Sequence, residues 1–311
     1  MSRFARSLSV AALAALAVSA SVTAARELRN TAEVLRQPSM NVFRRFDVEA
    51  AKVFQFYGDV LGFRPLGTFT DVGAGGVSRF QAGGQELKFT QRVANRQYAD
   101  GGVKEATGLR LLTFFFPNEA ELVARFEKHG YAKPEFRTLA GRRVALVNDP
   151  DGQAVELVIE PGQAPEAYNR IEVGLTVSNL EKSRDFYRSF VGLEELAPRE
   201  DPLFGTTVYG FRHGTTTINL RHFGGTLPRD TGSGGIQYVV SDVESVNELA
   251  LKRGVAVETP LSTLAGYGLR TVWLNDPDGI TNYFAQTGAA PRGGGAGGGR
   301  RGGAPNPAPT Q

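Results

Sequence analysis

The stretch Asn148-Asp149-Pro150-Asp151-Gly152 returns in the same chain as Asn275-Asp276-Pro277-Asp278-Gly279, and this repetition decides the fold. A second pair, Phe56-Tyr57 and Phe186-Tyr187, lies upstream of the two stretches. The first pair is offset by 127 residues and the second by 130, so the segment between them is duplicated with small changes in loop length. A tandem duplication of this size predicts two modules of the same architecture.

Each Asp-Pro-Asp-Gly stretch is typical of a tight turn between two strands. Proline fixes its own φ, aspartate hydrogen-bonds the local backbone, and glycine adopts a positive φ that other residues avoid. A pair of catalytic carboxylates is the alternative interpretation. The informative difference follows the turn, where Glu156 in the first copy corresponds to Tyr283 in the second. The two modules are therefore expected to share a fold without sharing the same site.

The composition of the 311 residues limits the possible chemistry. The chain has no cysteine, which excludes disulfides, thiolate metal ligands and a cysteine nucleophile. It has only three histidines, His129, His213 and His222, so an imidazole metal site has few candidate ligands. Without the five arginines near its two ends, the chain carries 30 basic against 32 acidic residues. This balance gives no electrostatic case for binding nucleic acid or an anionic membrane.

The two ends of the chain differ from its middle. Arg3 and Arg6 precede an apolar run and a small-residue stretch, which is typical of a signal peptide and predicts a periplasmic or secreted protein. An uncleaved membrane anchor is the alternative. The Gly-, Arg- and Pro-rich end holds no large apolar side chain and should be disordered. The expected division is a signal peptide (1–25), an N-terminal arm (26–39), a first module (40–160), a linker (161–169), a second module (170–288) and a tail (289–311).

Hydrophobic periodicity predicts the same order of elements in both modules. In the second module a strand at 171–177 is followed by a helix that Asn179 caps and Gly192 ends. Three strands come next, and a second helix over 242–253 begins the same order again after its own strand. The first module matches this pattern, so the unit β-α-β-β-β is expected twice in each module.

These motifs resemble the vicinal oxygen chelate superfamily, which includes glyoxalase I, the bleomycin-resistance proteins and the extradiol dioxygenases. The residues that carry the resemblance are Val177-Ser178-Asn179-Leu180, Phe186-Tyr187, Val240-Ser241-Asp242 and both Asp-Pro-Asp-Gly turns. The resemblance covers about residues 40–287. It implies an α+β fold of two tandem modules, each of two β-α-β-β-β units that curl into an open cup.

In this superfamily four cup-facing positions commonly hold metal ligands. If the cups are shared across the modules, one set is Val42, Lys88, Gly235 and Tyr283, and the other is Leu111, Glu156, Glu172 and Asn219. The first set offers no carboxylate or imidazole, and the second offers two carboxylates. If each cup lies within one module, neither supplies the two histidines and one glutamate of an iron site. The expected cofactor is therefore none, or an unidentified divalent cation held by Glu156 and Glu172.

Glu156 and Glu172 are the candidate catalytic residues. Two carboxylates that face each other can hold a hard cation, or one of them can keep a proton and act as a general base. The simpler interpretation is that Glu172 pairs with a nearby arginine or points to solvent.

The remaining candidates would bind a ligand: Arg44, Arg45, Lys88, Asn219, Gln237 and Tyr283. Adjacent strand residues face opposite sides, so only one of Arg44 and Arg45 should enter a cup. The spacing to Phe56-Tyr57 favours Arg44, whereas the apolar pattern of the strand favours Arg45. Trp273 is interpreted as a core or rim residue.

Two functions remain open from the sequence. The first is an exported protein that binds a small organic molecule in an apolar cup without a transition metal, as a monomer or homodimer and with no nucleic-acid or membrane partner after signal cleavage. The second is a glyoxalase-like lyase or isomerase that uses Glu156 and Glu172. A dioxygenase is disfavoured because the chain has so few histidines.

Overall fold

The computed structural model describes residues 27–37, 39–69, 76–264 and 267–288. The predicted signal peptide and the predicted tail lie outside the described residues. Within the described ranges, none of the helices is both long and apolar enough to cross a membrane.

The described residues of the first module form eight strands and two main helices. The strands are β1 (Asn41–Phe46), β2 (Arg64–Phe69), β3 (Val77–Ala82), β4 (Gln85–Gln91), β5 (Gly108–Phe116), β6 (Arg137–Leu139), β7 (Arg142–Asn148) and β8 (Ala154–Ile159). The helices are α1 (Ala50–Phe54), which continues as a π-helical segment (Gln55–Val60), and α2 (Glu119–Lys128).

The second module repeats this order with one more strand. Its strands are β9 (Ile171–Thr176), β10 (Glu194–Glu195), β11 (Arg199–Asp201), β12 (Thr206–His213), β13 (Thr216–Arg221), β14 (Gly234–Val239), β15 (Val257–Leu264), β16 (Leu269–Asn275) and β17 (Thr281–Thr287). Its helices are α3 (Leu180–Asp185), which continues as a π-helical segment (Phe186–Val191), and α4 (Val243–Lys252). Two short 3-10 helices, Thr31–Val34 and Pro165–Asn169, lie in the arm and the linker.

Side-chain caps explain where three of the helices begin. The side chains of Asn118, Asn179 and Asp242 each accept a hydrogen bond from a backbone N–H in the first turn of the helix that follows. These bonds satisfy donors that a helix cannot pair internally. The predicted starts of α3 and α4 are confirmed.

Each sheet is built from one unit of each module. The eight-stranded sheet has the order β15-β16-β17-β14-β1-β4-β3-β2, and the nine-stranded sheet has the order β10-β12-β13-β9-β5-β8-β7-β6 with β11 paired to β12. The modules join where β1 pairs antiparallel with β14 and where β5 pairs antiparallel with β9. The α+β class and the two open sheets are confirmed, and the cups are the ones shared across the modules.

The main core lies on the helix side of both sheets. On β1, Val42 and Phe46 belong to one buried apolar cluster together with residues of the helices and of β4, β5, β9 and β14. Because side chains alternate along a strand, Asn41, Phe43 and Arg45 face the opposite side. The same alternation gives every central strand one core face and one cup face.

The N-terminal arm packs on the second module. Leu28 and Val34 are buried, and the Thr31 hydroxyl donates a hydrogen bond to the Val191 carbonyl at 3.0 Å. Leu35 also forms an isolated bridge to Val240. The described part of the arm is therefore an ordered surface element of that module.

A tyrosine–aspartate hydrogen bond links the two repeated motifs inside each module. The Tyr57 hydroxyl donates to Asp149 at 2.9 Å, and the Tyr187 hydroxyl donates to Asp276 at 3.0 Å. Each aspartate also accepts two backbone N–H groups of its own turn. The turn glycines Gly152 and Gly279 have φ values of 81° and 84°. The turn interpretation of Asp-Pro-Asp-Gly is confirmed.

The two aspartates differ in the charge beside them. Arg44 approaches Asp149 at 3.4 Å in the first module. Leu175 occupies the matching position of β9, because Arg44 pairs with Phe89 and Leu175 with the equivalent Leu220. Burial raises the pKa of Asp276 to about 7, and the nearby Asp278 carboxylate adds to that rise.

Asp276→Asn should weaken the pH dependence of stability. A carboxyl whose pKa is raised on folding stabilises the protein while it is protonated, and this contribution is lost as the pH rises through the folded-state pKa of about 7. Between about pH 4 and about pH 7 the free energy of unfolding of the wild type should fall by on the order of a few kcal/mol more than that of the variant. Urea unfolding of the full chain measures this difference. Glu127→Gln, at an exposed position of α2, is the control, and equal pH dependence of Asp276→Asn and wild type would contradict the prediction.

Candidate functional site

Two cups lie on the sheet faces opposite the helices, and the same strand positions line both. In the eight-stranded sheet, Tyr283 of β17 pairs with Gln237 of β14, which pairs with Asn41 of β1. In the nine-stranded sheet the corresponding row is Glu156 of β8, Thr113 of β5 and Glu172 of β9. We call the first the aromatic cup, formed around Phe43, Trp273, Tyr283, Lys88 and Gln237. We call the second the carboxylate cup, formed around Glu156, Glu172, Thr113, Asn219 and Arg221.

The expectation that Val42 faces a cup is wrong. Val42 is buried in the main core, and Asn41 takes the place in the aromatic cup that Glu172 has in the carboxylate cup. Asn41 lies fifteen residues before Phe56, whereas the equivalent Glu172 lies fourteen residues before Phe186. The spacing measured from Phe56-Tyr57 therefore slips by one residue, and on a strand a slip of one exchanges the two faces.

The same slip separates Arg44 from Arg45. Arg44 lies on the helix side of β1, buried between Asp149 and Asp151 at 3.4 and 3.3 Å, so the prediction from spacing that it enters the cup is wrong. Arg45 lies on the cup side, with its guanidinium carbon 5.1 Å from the centre of the Phe43 ring. It also donates to the Gly232 carbonyl at 2.9 Å. The apolar pattern of the strand predicted this orientation correctly.

Three aromatic rings form one wall of the aromatic cup. The ring centres of Trp273 and Tyr283 are 4.9 Å apart, and those of Phe43 and Trp273 are 6.4 Å apart. Gly235, on the strand beside Phe43, has no side chain, and a Cβ there would lie 2.6 Å from the Phe43 ring. The glycine thus lets Phe43 lie flat on the cup floor. Trp273, interpreted from the sequence as a core or rim residue, belongs to this wall.

Lys88 and Gln237 place polar groups opposite the aromatic wall. The Lys88 ammonium donates to the Gln237 side-chain carbonyl at 2.5 Å, and the same oxygen accepts from the Asn41 amide at 3.1 Å. Burial lowers the pKa of Lys88, although Glu86 at 3.5 Å opposes that change. Burial also raises the pKa of Tyr283 to about 12. The cup therefore combines an apolar wall with a desolvated ammonium group.

The carboxylate cup brings Glu156 and Glu172 to one face but separates them by the strand that carries Thr113. Because neighbouring strands are about 4.8 Å apart, the two backbones are about 10 Å apart. Glu156 accepts from the Thr113 hydroxyl at 2.8 Å, and Arg142 lies 3.9 Å away. Glu172 accepts from the Arg199 guanidinium at 2.9 Å and from the Asn219 amide at 2.6 Å. Each carboxylate therefore has its own partners.

Glu156 is the more perturbed of the two carboxylates. It is 5% exposed, and burial raises its pKa, while the positive charge of Arg142 and the Thr113 hydrogen bond oppose the rise. The charge of Glu172 raises the pKa of Glu156 further. A buried carboxyl with a raised pKa is suited to general acid–base chemistry.

Arg221 is a residue of the carboxylate cup that the sequence reasoning missed. It is 1% exposed and pairs with Asp201 at 2.7 Å. Its Nη1 atom is buried without a hydrogen-bond partner, and a Cβ on Gly174 would lie 2.7 Å from that atom. Arg221 lies two residues beyond Asn219 on β13, so strand alternation alone could have placed it on the same face.

The residues of the two cups do not fit a transition metal. In the aromatic cup the four relevant positions are Asn41, Lys88, Gly235 and Tyr283. In the carboxylate cup Leu111 occupies one of the four, and the partners of Glu172 are an arginine and an amide. Across the described part of the chain, no group of three or more His, Cys, Asp and Glu side chains could hold a metal ion. Carboxylates that already pair with arginines are poor ligands for a transition metal.

A polar cleft of about 150 Å³ lies beside Arg44, outside both cups. Its lining includes Arg44, Arg92 and Arg110, together with Asp151 and Asp100. Arg44 and Arg92 both pair with Asp151, and Arg110 pairs with Asp230. The positive charges are thus already matched, which makes the cleft a junction of ion pairs.

The comparisons with known proteins agree with this fold. The model of the family described as "Glyoxalase/Bleomycin resistance protein/Dioxygenase superfamily" matches residues 39–157 and 169–284. Over 147 residues the chain is 28% identical to a protein named probable chloroplastic lactoylglutathione lyase of Arabidopsis thaliana, covering 45% of this chain and 41% of that protein. Over 146 residues it is 27% identical to lactoylglutathione lyase of Oryza sativa subsp. japonica, covering 44% and 49%. The chain thus spans less than half the length of the curated relatives it matches.

Solved structures show the same architecture. Glyoxalase I from Zea mays has a TM-score of 0.62 and 19% identity, covering 80% of this chain and 92% of that one. A putative dioxygenase from Bacillus subtilis has a TM-score of 0.59 and 18% identity, covering 82% and 86%. At these identities the likeness shows the fold alone. The sequence predicted either no cofactor or an unidentified divalent cation. The second of these is compatible with the likeness to glyoxalase I.

The family model accounts for most of the chain in two successive segments, and these segments coincide with the two modules whose units join into shared sheets. The chain therefore belongs to the Glyoxalase/Bleomycin resistance protein/Dioxygenase superfamily, as a tandem member homologous to glyoxalase I.

Proposed function

We propose that this protein binds a small organic molecule in the aromatic cup without a transition metal. The observation that carries the proposal is the wall of Phe43, Trp273 and Tyr283 facing the part-buried ammonium group of Lys88. Export to the periplasm or the medium belongs to the same proposal and is supported by the apolar stretch after Arg3 and Arg6. The protein would act as a monomer or homodimer, without a nucleic-acid partner or a membrane partner after signal cleavage.

The chemistry of the aromatic cup favours a planar ligand with an acidic group. Flat aromatic side chains bury a planar molecule well and add favourable ring contacts. Lys88 has lost much of its hydration, so an anionic group beside it would recover part of the lost solvation energy. Arg45, stacked over Phe43, adds a second positive charge on the same face.

Lys88→Met should weaken binding of the planar aromatic anion 1-anilinonaphthalene-8-sulfonate. The chain has a single tryptophan, so quenching of Trp273 fluorescence reports directly on this cup. A saturable quench is expected for the wild type, with a Kd about tenfold higher in the variant because a charge-assisted hydrogen bond is lost. Lys128→Met, at an exposed position of α2, is the matched control. Equal affinities for all three proteins would contradict the proposal.

A second candidate function is a glyoxalase-like lyase or isomerase centred on Glu156. The observation that favours it is the burial of this carboxylate beside Thr113 and Arg142, which raises its pKa. In the proposed step, Glu156 removes a proton from a carbon next to a carbonyl. The C–H electron pair forms a C=C bond, and the carbonyl π pair moves to the oxygen. When the first carbon carries a hydroxyl group, the hydroxyl proton moves to the enolate oxygen and the O–H electron pair forms a new C=O bond. The C=C pair then takes the proton back from Glu156 at the former carbonyl carbon, which gives an isomer without any oxidant or reductant.

The positions of the three histidines do not favour a dioxygenase function. The ring nitrogens of His213 and His222 contact the backbone carbonyls of Gln37 and Val177, and His129 follows the end of α2. None of the three occupies a ligand position of either cup. The facial set of two histidines and one carboxylate is therefore missing from these positions.

Glu156→Gln should strongly slow proton exchange at carbon. The probe is hydroxyacetone in D2O, whose methylene protons are followed by NMR. Loss of the general base should slow enzyme-catalysed exchange by about 100-fold or more. Glu172→Gln should have a smaller effect, because Arg199 and Asn219 already occupy that carboxylate. Glu127→Gln serves as the control, and unchanged exchange in Glu156→Gln would contradict the role given to Glu156.

A further inference from the structure

The floor of each cup is covered by one side chain that lies over a glycine. In the aromatic cup Phe43 lies over Gly235, its antiparallel neighbour. In the carboxylate cup Gly174 takes the strand position of Phe43, and the Nη1 atom of Arg221 lies over it. The duplication has therefore placed an aromatic ring at one floor and a guanidinium at the other.

The guanidinium of Arg221 is held by Asp201, but one of its nitrogen atoms has no hydrogen-bond partner among the described residues. Its Nε atom donates to Asp201 at 2.8 Å, and its Nη2 atom lies 2.7 Å from the same carboxylate oxygen. Its Nη1 atom is buried and has no partner among the described residues. An unpaired buried donor is unfavourable, so an oxygen atom delivered to this point would be bound favourably.

Arg221 also lies within electrostatic reach of the candidate base. Its positive charge lowers the pKa of Glu156, against the rise that burial causes. Leu111 lies on the other side of Gly174, where its Cβ would be 2.7 Å from a Cβ on the glycine. The guanidinium of Arg221 thus lies next to Leu111, which occupies one of the four positions that commonly hold metal ligands in this superfamily.

The charges around the carboxylate cup are balanced. Arg221 pairs with Asp201, Arg199 pairs with Glu172, and Arg142 lies nearest to Glu156, as the three ion pairs of this region show. A ligand with a net charge would upset this balance in a poorly solvated site. An uncharged ligand with a polarisable oxygen fits better.

We propose that the guanidinium of Arg221 supplies the positive charge that a divalent metal supplies in a metal-loaded cup of this fold, and that its Nη1 atom hydrogen-bonds the carbonyl oxygen of an uncharged organic ligand. The inference rests on the second candidate function and names its electrophile. When Glu156 removes the proton, the negative charge that develops on the carbonyl oxygen is stabilised by the Nη1 hydrogen bond. The proton stays on Glu156 until it returns to carbon.

Because the Nη1 atom is buried, a ligand oxygen reaches it only when a neighbouring side chain moves. The Phe204 ring centre lies 5.5 Å from the guanidinium carbon of Arg221. Phe204 belongs to a small apolar cluster with Val103, Leu111 and Ala154, separate from the main core. The apolar part of the ligand would take the place of the Phe204 ring against this cluster.

The first test measures metal content. The full chain is stripped with EDTA, incubated with Zn²⁺, Ni²⁺ or Mn²⁺, desalted and analysed by mass spectrometry. The wild type and Arg221→Lys should bind none stoichiometrically, because Glu156 and Glu172 each keep an arginine partner and the described residues contain no group of three metal-ligating side chains. Stoichiometric metal in the wild type that Glu156→Gln removes would overturn the inference. If Arg221→Met does not fold in the exchange test that follows, Arg221→Met combined with Asp201→Asn, which removes the unpaired buried charge, takes its place there.

The second test uses hydroxyacetone exchange in D2O with EDTA present. Wild-type exchange should be insensitive to EDTA, and Arg221→Met should slow it by about 100-fold. Exchange that needs an added divalent ion, or that survives Arg221→Met, overturns the inference and leaves the role of Glu156 standing. If the wild type shows no exchange under any condition, the second candidate function is overturned, and so is the proposed hydrogen bond from Nη1 to a carbonyl oxygen. The metal content then still decides whether Arg221 takes the place of a metal charge.

Discussion

The hydrogen bond between a helix tyrosine and a turn aspartate is the contact on which the rest of the structure depends. Tyr57 with Asp149, and Tyr187 with Asp276, tie the first unit of each module to the second through groups that are buried. The sheets then form between the modules, where β1 meets β14 and β5 meets β9. The tyrosine–aspartate hydrogen bond fixes the two units inside each module, and the strand pairing fixes the two modules against each other. Each cup is therefore built from residues of both modules. Neither module could form a cup of this kind alone.

This shared construction lets the two cups differ while the fold stays the same. At matching strand positions the aromatic cup has Tyr283 where the carboxylate cup has Glu156. Likewise, Lys88 corresponds to Asn219, because Lys88 pairs with Phe43 and Asn219 pairs with Gly174, which takes the strand position of Phe43. One cup became an apolar wall with an ammonium group, and the other kept carboxylates around a fixed guanidinium. Neither set of side chains holds the ligands that a transition metal prefers.

Local features of the sequence predicted the fold, but the site depended on contacts between distant residues. The turns at Asp149 and Asp276 and the caps at Asn118, Asn179 and Asp242 could be predicted because they depend on residues a few positions apart. Spacing could not decide which side chains of β1 face the cup and which face the helices, because a single extra residue before α1 exchanges the two faces. Arg221 and Trp273 were missed for a different reason. Arg221 contacts Asp201 and lies over Gly174, and Trp273 contacts Phe43 and Tyr283. These residues come together only through the pairing of strands.

The central claim is that the two cups have different tasks, with an organic ligand in one and a built-in cation in the other. A crystal structure of the full chain grown with both Zn²⁺ and 1-anilinonaphthalene-8-sulfonate tests this claim most directly. The account predicts electron density for the organic anion between Trp273 and Lys88, and no anomalous zinc peak beside Glu156. A zinc ion coordinated by Glu156 and Glu172, with the guanidinium of Arg221 displaced, would contradict it.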